Sequence, residues 1–296
     1  MQRPKDIVDF TPDPTLFPFE SKWFESSVGP IHYIDEGQGR PLFLFHGNPD
    51  WSFLYRKMIP LLKGHFRCIA ADHPGFGLSV HPEGYGYTPK EHAAAISELL
   101  NHLDLQDVVL MGQDWGGPIG MEVASLNADR IGALVMGNTW FWPATDRKMR
   151  LFSRLMGSWP LQYLIKKHNF FVKVAMKRSL ETPMTDEEFA HYVEVVPEPE
   201  MRAGMAEAPK SIIGEEEWLG ALHERVVATL SDKPMLLFFG RKDPVVGGAA
   251  FIERWKEEFP DATVVDLPNA GHFIQEDAPQ EIAEAIIAAY APSSKQ

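Results

Sequence analysis

The sequence predicts an α/β protein: a mostly parallel central sheet flanked by helices, with a helical insertion after its middle. Three observations lead there. Short apolar stretches alternate with segments of helical spacing over most of the 296 residues. One of these stretches runs directly into a glycine-flanked turn followed by a helix. Residues 140–230 break the alternation: they lack clear strand patterns and are rich in Met, Phe and Trp.

Each element has its own signal. The Pro-rich first ~20 residues read as an extended arm laid over a domain surface. Strands are expected at 31–36 and 41–45, the second continuously apolar, as a strand buried on both faces must be. A helix is expected over 51–63 and a strand over 67–71. Residues 89–103 place Ala93, Ile96, Leu99, Leu100 and Leu103 at helical spacing. Further strands are expected at 108–111, 131–136, 235–239 and 263–267, with a helix from about Trp115 and a closing helix over 279–290. Asp277 and Gln280 sit at capping-box spacing at the start of that closing helix.

Composition narrows the function. Hydrophobic residues make up 45% of the chain and charged residues 23%, a globular balance with ample core material. Against 28 Lys and Arg stand 41 Asp and Glu, a net charge of −13. Phosphate binding needs clustered cations, so no nucleic-acid partner is expected, and the sum also disfavours docking on anionic membranes. A single cysteine, Cys68, excludes an internal disulfide and any CxxC metal site, and no other metal-ligand spacing is present. No apolar run reaches the ~20 residues that span a bilayer. The start, MQRPKDIVDFTPDPTLFPFE, has no apolar core for a signal peptide, so a cytoplasmic location is expected.

The most informative stretch is VVLMGQDWGGPIGMEVA, residues 108–124. A buried strand enters Gly112-Gln113-Asp114-Trp115-Gly116 and then a helix, the Gly-x-nucleophile-x-Gly elbow of the α/β-hydrolase fold. The glycines permit the sharp turn. The central side chain is thereby lifted above the sheet at a helix N-terminus, where free N–H groups favour negative charge. That residue is Asp114, not Ser. A serine makes an acyl-enzyme from an ester or amide. A carboxylate instead displaces a leaving group from an sp³ carbon and forms an alkyl ester. On position alone Asp114 would equally be a helix cap; the flanking glycines and the preceding strand favour the nucleophile.

Three segments make a wider pattern: His46-Gly47-Asn48-Pro49-Asp50-Trp51-Ser52-Phe53-Leu54-Tyr55-Arg56, Gln113-Asp114-Trp115-Gly116-Gly117 and Asn269-Ala270-Gly271-His272-Phe273. Asp72-His73-Pro74-Gly75-Phe76-Gly77-Leu78-Ser79 adds a structural marker common in this fold. On these residues the chain resembles, across nearly its whole length, the haloalkane dehalogenases, α/β-hydrolase-fold enzymes with a helical cap. The family usually shows Thr where this chain has Asp50. The core domain is then expected to comprise 1–139 and 231–296, and the cap 140–230.

The resemblance implies a two-step hydrolysis. His272 lies between the last expected strand and the closing helix, where the fold places its catalytic histidine, with chain order nucleophile, acid, histidine. A neutral imidazole suits proton abstraction from water near pH 7. Its place after Gly271 selects it among eleven histidines. A carboxylate must hold its other nitrogen. The family's acid follows either the strand at 131–136 or that at 235–239. The first is followed by Gly137-Asn138-Thr139, without a carboxylate, so Asp243 is the expected acid. Glu276 and Asp277, nearer to His272 in sequence, read as helix-start residues.

A departing halide needs N–H donors rather than a proton. The resemblance assigns that role to the Trp115 indole and the Asn48 side-chain amide, and assigns the oxyanion hole to the backbone N–H groups of the same two residues. A branch of the family takes a donor from a cap tryptophan, for which Trp140, Trp142 and Trp159 stand open. The implied partners are a small apolar halogenated substrate and a halide ion, with no metal or organic cofactor.

Rival readings share the scaffold. An epoxide hydrolase uses the same Asp nucleophile but must protonate an alkoxide, with Tyr163 and Tyr192 of the insertion as candidates. Such enzymes usually carry an aromatic residue where this chain has Asn48. A binding protein or receptor, or a cofactor-free oxygenase, would use the fold without hydrolysis. Substrate size, halogen preference and assembly, a homo-oligomer included, are not legible in the sequence.

Overall fold

The computed structural model describes residue 4 and residues 7–292. Among them the chain builds one eight-stranded sheet from β1 (Lys22–Ser26), β2 (Gly29–Gly37), β3 (Pro41–Phe45), β4 (Arg67–Ala71), β5 (Val108–Gln113), β6 (Ile131–Gly137), β7 (Met235–Gly240) and β8 (Thr263–Leu267). The spatial order is β1-β2-β4-β3-β5-β6-β7-β8. β2 runs antiparallel to both neighbours; the remaining pairs are parallel. β5 and β7, VVLMGQ and MLLFFG, are buried along their whole length, because helices cover both faces of the sheet.

The helices are α1 (Ile59–Leu62), α2 (Pro89–His102), α3 (Gly116–Leu126), α4 (Arg147–Met156), α5 (Trp159–His168), α6 (Asp186–Glu194), α7 (Ala203–Gly214), α8 (Glu216–Leu230), α9 (Ala249–Glu258), α10 (Ile274–Asp277) and α11 (Pro279–Tyr290). Thr88 and Glu91 close a capping box on α2. α4 to α8 fill the interval between β6 and β7, together with a π-helical turn at Phe171–Met176. Within it α7 packs on α4, while α8 lies along α3 beside the sheet. None of these helices is long and apolar enough to cross a membrane, among the described residues.

The register brings the C-terminal ends of β3, β5, β6 and β7 side by side: Phe45 opposite Gly112, Gln113 opposite Gly137, and Gly137 opposite Phe238. Four loops therefore leave the sheet along one edge, the place where parallel α/β sheets gather functional groups.

Several elements depart from expectation. The stretch 51–63 is not one helix but a 3₁₀ turn at Ser52–Tyr55 followed by α1. Pro60 has no N–H for the Arg56 carbonyl, so the helix restarts around it. The capping box expected from Asp277 and Gln280 does not form: α11 has Ala278 at its N-cap, without a side-chain bond. Asp277 accepts instead from the backbone of Gly271 (2.8 Å) and Thr182 (2.7 Å). Glu276 is buried in α10 and receives Arg56, Lys57 and the Tyr192 hydroxyl. β1 and α9 carry no pattern strong enough to have been expected. The N-terminal arm follows the expected course from residue 7, with no regular element before β1 and with Phe17 buried beside Trp51.

Candidate active site

Asp114 stands between β5 and α3 with φ +51°, a left-handed conformation that Asp tolerates better than most residues. The surrounding glycines make it possible. A Cβ on Gly47 would lie 2.5 Å from the Asp114 Cβ, and one on Gly116 would overlap the Phe45 carbonyl. The turn is held by the Thr139 hydroxyl, which donates to the Asp114 carbonyl at 2.6 Å. The Asn48 backbone N–H donates to Asp114 Oδ1 at 2.8 Å.

His272 faces the other carboxylate oxygen, Nε2 to Oδ2 3.4 Å, and its Nδ1 lies 2.6 Å from Asp243 Oδ2. Asp243 is 4% exposed, and its Oδ1 accepts from the amides of Val245 and Val246. The structure thus brings together Asp114, His272 and Asp243, which lie on three separate loops. Burial disfavours a charged imidazole, yet the Asp243 carboxylate, with Asp114 opposite, holds His272 well above the ordinary imidazole range. Burial likewise opposes the Asp243 carboxylate, and the His272 ring and the two amides bring it below its usual value.

Three supporting residues were given no part in the site by the sequence reading. The Gln113 side chain donates to the His272 carbonyl at 3.0 Å and lies 3.2 Å from its Nε2. Asn138 occupies the place where an acid was absent. Its amide donates to Gly271 and its oxygen accepts from Gly240, tying the loops of His272 and Asp243 together. Asp277, through Gly271, fixes the same loop. Motifs name reacting groups; the side chains that hold two loops at one spacing are fixed only by contact.

A cavity of about 110 Å³ opens above Asp114, lined by Asn48, Trp115, Trp140, His272 and apolar side chains of the insertion such as Phe152 and Met176. No described residue accepts from the Trp115 indole, which borders this space. Trp140 lies edge-on to Trp115 at 5.0 Å, and its buried indole N–H also has no partner among the described residues. Of the other two tryptophans considered, Trp142 packs against Trp255 and Arg254, and Trp159 is 79% exposed. The candidate proton donors for epoxide opening are absent from the cavity wall: Tyr163 is half-exposed, and the Tyr192 hydroxyl is bonded to Glu276. Among the described residues no group of three or more His, Cys, Asp or Glu is placed to hold a metal ion.

Asp50 is an unexpected neighbour. It is 1% exposed, and neither carboxyl oxygen has a hydrogen-bond partner among the described residues. Burial, reinforced by Asp114, pushes its carboxyl well above the usual carboxylate range. A carboxyl neutral in the fold and ionised in the unfolded chain makes stability fall as pH rises. The slope is about 1.4 kcal/mol per pH unit between the unfolded and folded values. Asp50→Asn keeps the shape and removes the titration. The variant should be the more stable protein at neutral pH, with an advantage that widens from about pH 4 upward. Urea melts of both proteins across pH check this; parallel stability curves would rule out a neutral buried carboxyl.

Known proteins resemble this chain over most of its length. The alpha/beta hydrolase fold family model matches residues 40–279. Haloalkane dehalogenase 2 of Mycobacterium tuberculosis is 52% identical over 280 residues, 95% of this chain and 98% of that one. A cis-3-alkyl-4-alkyloxetan-2-one decarboxylase of Shewanella oneidensis is 32% identical over 284 residues, covering 90% of this chain and 87% of that one. The crystal structure of the haloalkane dehalogenase DatA from Agrobacterium tumefaciens superposes with a TM-score of 0.82 at 25% identity, covering 94% of this chain and 98% of that one. With an α/β-hydrolase sheet, an aspartate on its elbow and a relative identical at half of all positions over nearly the full length, the chain belongs to the haloalkane dehalogenase family.

Proposed function

We propose that the protein hydrolyses carbon–halogen bonds of small apolar haloalkanes to an alcohol, a halide and a proton, with Asp114 as nucleophile, His272 as base and Asp243 as its supporting acid. The observation that carries this reading is the run Asp243–His272–Asp114 beneath a cavity into which an unpartnered Trp115 indole opens. A carboxylate oxygen of Asp114 attacks the carbon, and the C–halogen electron pair leaves with the halide. Trp115 and the Asn48 side-chain amide receive that anion in a dry pocket, where N–H dipoles act most strongly. Trp140, with its free indole N–H beside Trp115, is the cap-side residue best placed to add a third donor. His272 then takes a proton from water, which attacks the ester carbonyl carbon. The backbone N–H of Asn48, already on Asp114 Oδ1, and that of Trp115 stabilise the oxyanion. Esterification removes the Asp114 charge, one of the groups that raise His272, so the imidazole becomes easier to deprotonate when it is needed as a base.

In this reading the core of 1–139 and 231–296 holds the reacting groups, the insertion of 140–230 roofs them, and the enzyme works in the cytoplasm. Halide release from a panel of chloro- and bromoalkanes tests it, with an epoxide and a β-lactone as controls. Halide release alone is expected; diol formation, or lactone turnover without halide release, would overturn the assignment. Trp115→Phe, which keeps the packing and removes the N–H, should lower kcat by roughly 10²-fold. An unchanged kcat would take Trp115 out of the halide site.

A further inference from the structure

Between Arg147 and Arg178 the chain carries nine Lys and Arg and no Asp or Glu, so all 41 acidic residues lie elsewhere. The net charge of −13, which disfavours an anionic surface on average, hides this segment. It comprises α4, α5 and the π-helical turn at Phe171–Met176. Its inner side meets the cavity through Met149, Phe152 and Met176. Its outer side exposes large apolar groups: Leu151 (57%), Leu155 (53%), Trp159 (79%) and Tyr163 (48%). These account for four of the five large hydrophobic residues exposed among those described. The Trp159 and Tyr163 rings stack at 6.0 Å in open solvent.

The cations are exposed around them, at Arg147, Lys148, Arg154, Lys166 and Lys167. Among the described residues, only Arg150 of the nine is ion-paired, to Glu216. Asp146 is the acid at the edge, and its side chain caps α4. Lys166, Lys167 and His168 complement the dipole at the end of α5. Lys177 lies over the Phe189 ring, which leaves the remaining cations and the four apolar groups without an internal role among the described residues.

Three occupants would fit part of this surface. A second copy meeting it face to face would set nine cations against nine. A nucleic acid would engage the cations and leave Leu151, Leu155, Trp159 and Tyr163 in water. An anionic bilayer accommodates both, with aliphatic and aromatic groups at headgroup depth and cations over lipid phosphates. We propose that the outer face of α4 and α5 docks the protein on anionic lipid bilayers. The docking is independent of the reaction assigned above. Its consequence would be to hold the roof of the cavity against the phase in which apolar substrates concentrate.

Flotation of the full chain with lipid vesicles tests this. The wild type should float with phosphatidylcholine–phosphatidylglycerol vesicles at low salt, be released at high salt, and stay in the aqueous fraction with phosphatidylcholine alone. Leu155→Ser/Trp159→Ser and, separately, Arg147→Glu/Lys148→Glu should each weaken binding at least about tenfold. Both variants should keep wild-type halide release from a water-soluble bromoalkane, which shows that they fold. A wild type that ignores anionic vesicles would overturn the proposal, as would variants that bind like wild type. So would a wild-type dimer that Leu155→Ser/Trp159→Ser dissociates without any flotation, because the face would then belong to a second copy. Tighter binding to duplex DNA than to the vesicles would likewise overturn it.

Discussion

Asp114→Ala should abolish halide release from 1-bromobutane and 1,2-dibromoethane, a loss of at least about 10⁴-fold in kcat. The size follows from the site. In the first step no other carboxylate among the described residues is placed to attack carbon: Asp243 points its Oδ2 at His272, and Asp50 is buried outside the cavity wall. Alanine at φ +51° also strains the elbow, a penalty of about 1–2 kcal/mol. A second variant separates chemistry from folding. Asp114→Gly accepts that backbone without strain and should be equally inactive while melting no lower than Asp114→Ala. Turnover retained in either folded variant would refute the nucleophile.

His272→Phe should stop the reaction halfway. Alkylation of Asp114 requires no proton transfer, so the variant should still release one halide per protein molecule. The ester should then persist, because no base remains to activate water. Intact-mass measurement after exposure to 1-bromobutane should show one butyl group added, and peptide mapping should place it on Asp114. Protein that stays unmodified while wild type turns the substrate over would sink the two-step scheme. In the wild type the hydrolytic step should quicken as pH rises and His272 gives up its proton. Among the groups that raise this imidazole the Asp243 carboxylate comes first. Asp243→Asn should therefore move that limb to lower pH, besides slowing the step; a limb that stays in place would separate Asp243 from His272.

Much of this was readable in order along the chain. β3, β4, β8 and α11 match the ranges expected for them: β3 and β4 are buried strands and α11 an amphipathic helix, which leave local apolar patterns, while β8 is a largely exposed edge strand marked by its β-branched run. The elbow was readable because Gly112 and Gly116 are demanded by its backbone. Asp114, His272 and Asp243 were readable because each follows a strand in a fold whose chain order is known. The pattern failed where distant partners decide. Asp277 has a helix-cap spacing, but its carboxylate accepts from the amides of Gly271 and Thr182 and does not cap α11. Tyr192 sits in the insertion like a proton donor, yet its hydroxyl is taken by Glu276. Trp140, Trp142 and Trp159 are alike as letters; one borders the cavity, one packs inside and one stands in water.

The amino-acid order by itself determined the sheet's central strands and the sharp turn that carries Asp114, because backbone conformation and apolar period are set by neighbours a few residues away. Only the tertiary structure decided the 2.6 Å and 3.4 Å spacings at His272, the isolation of Asp50 and the outward face of α4 and α5. Distances between loops, loss of water and exposure of a helix face arise when segments far apart in the chain pack together, and no local pattern encodes them.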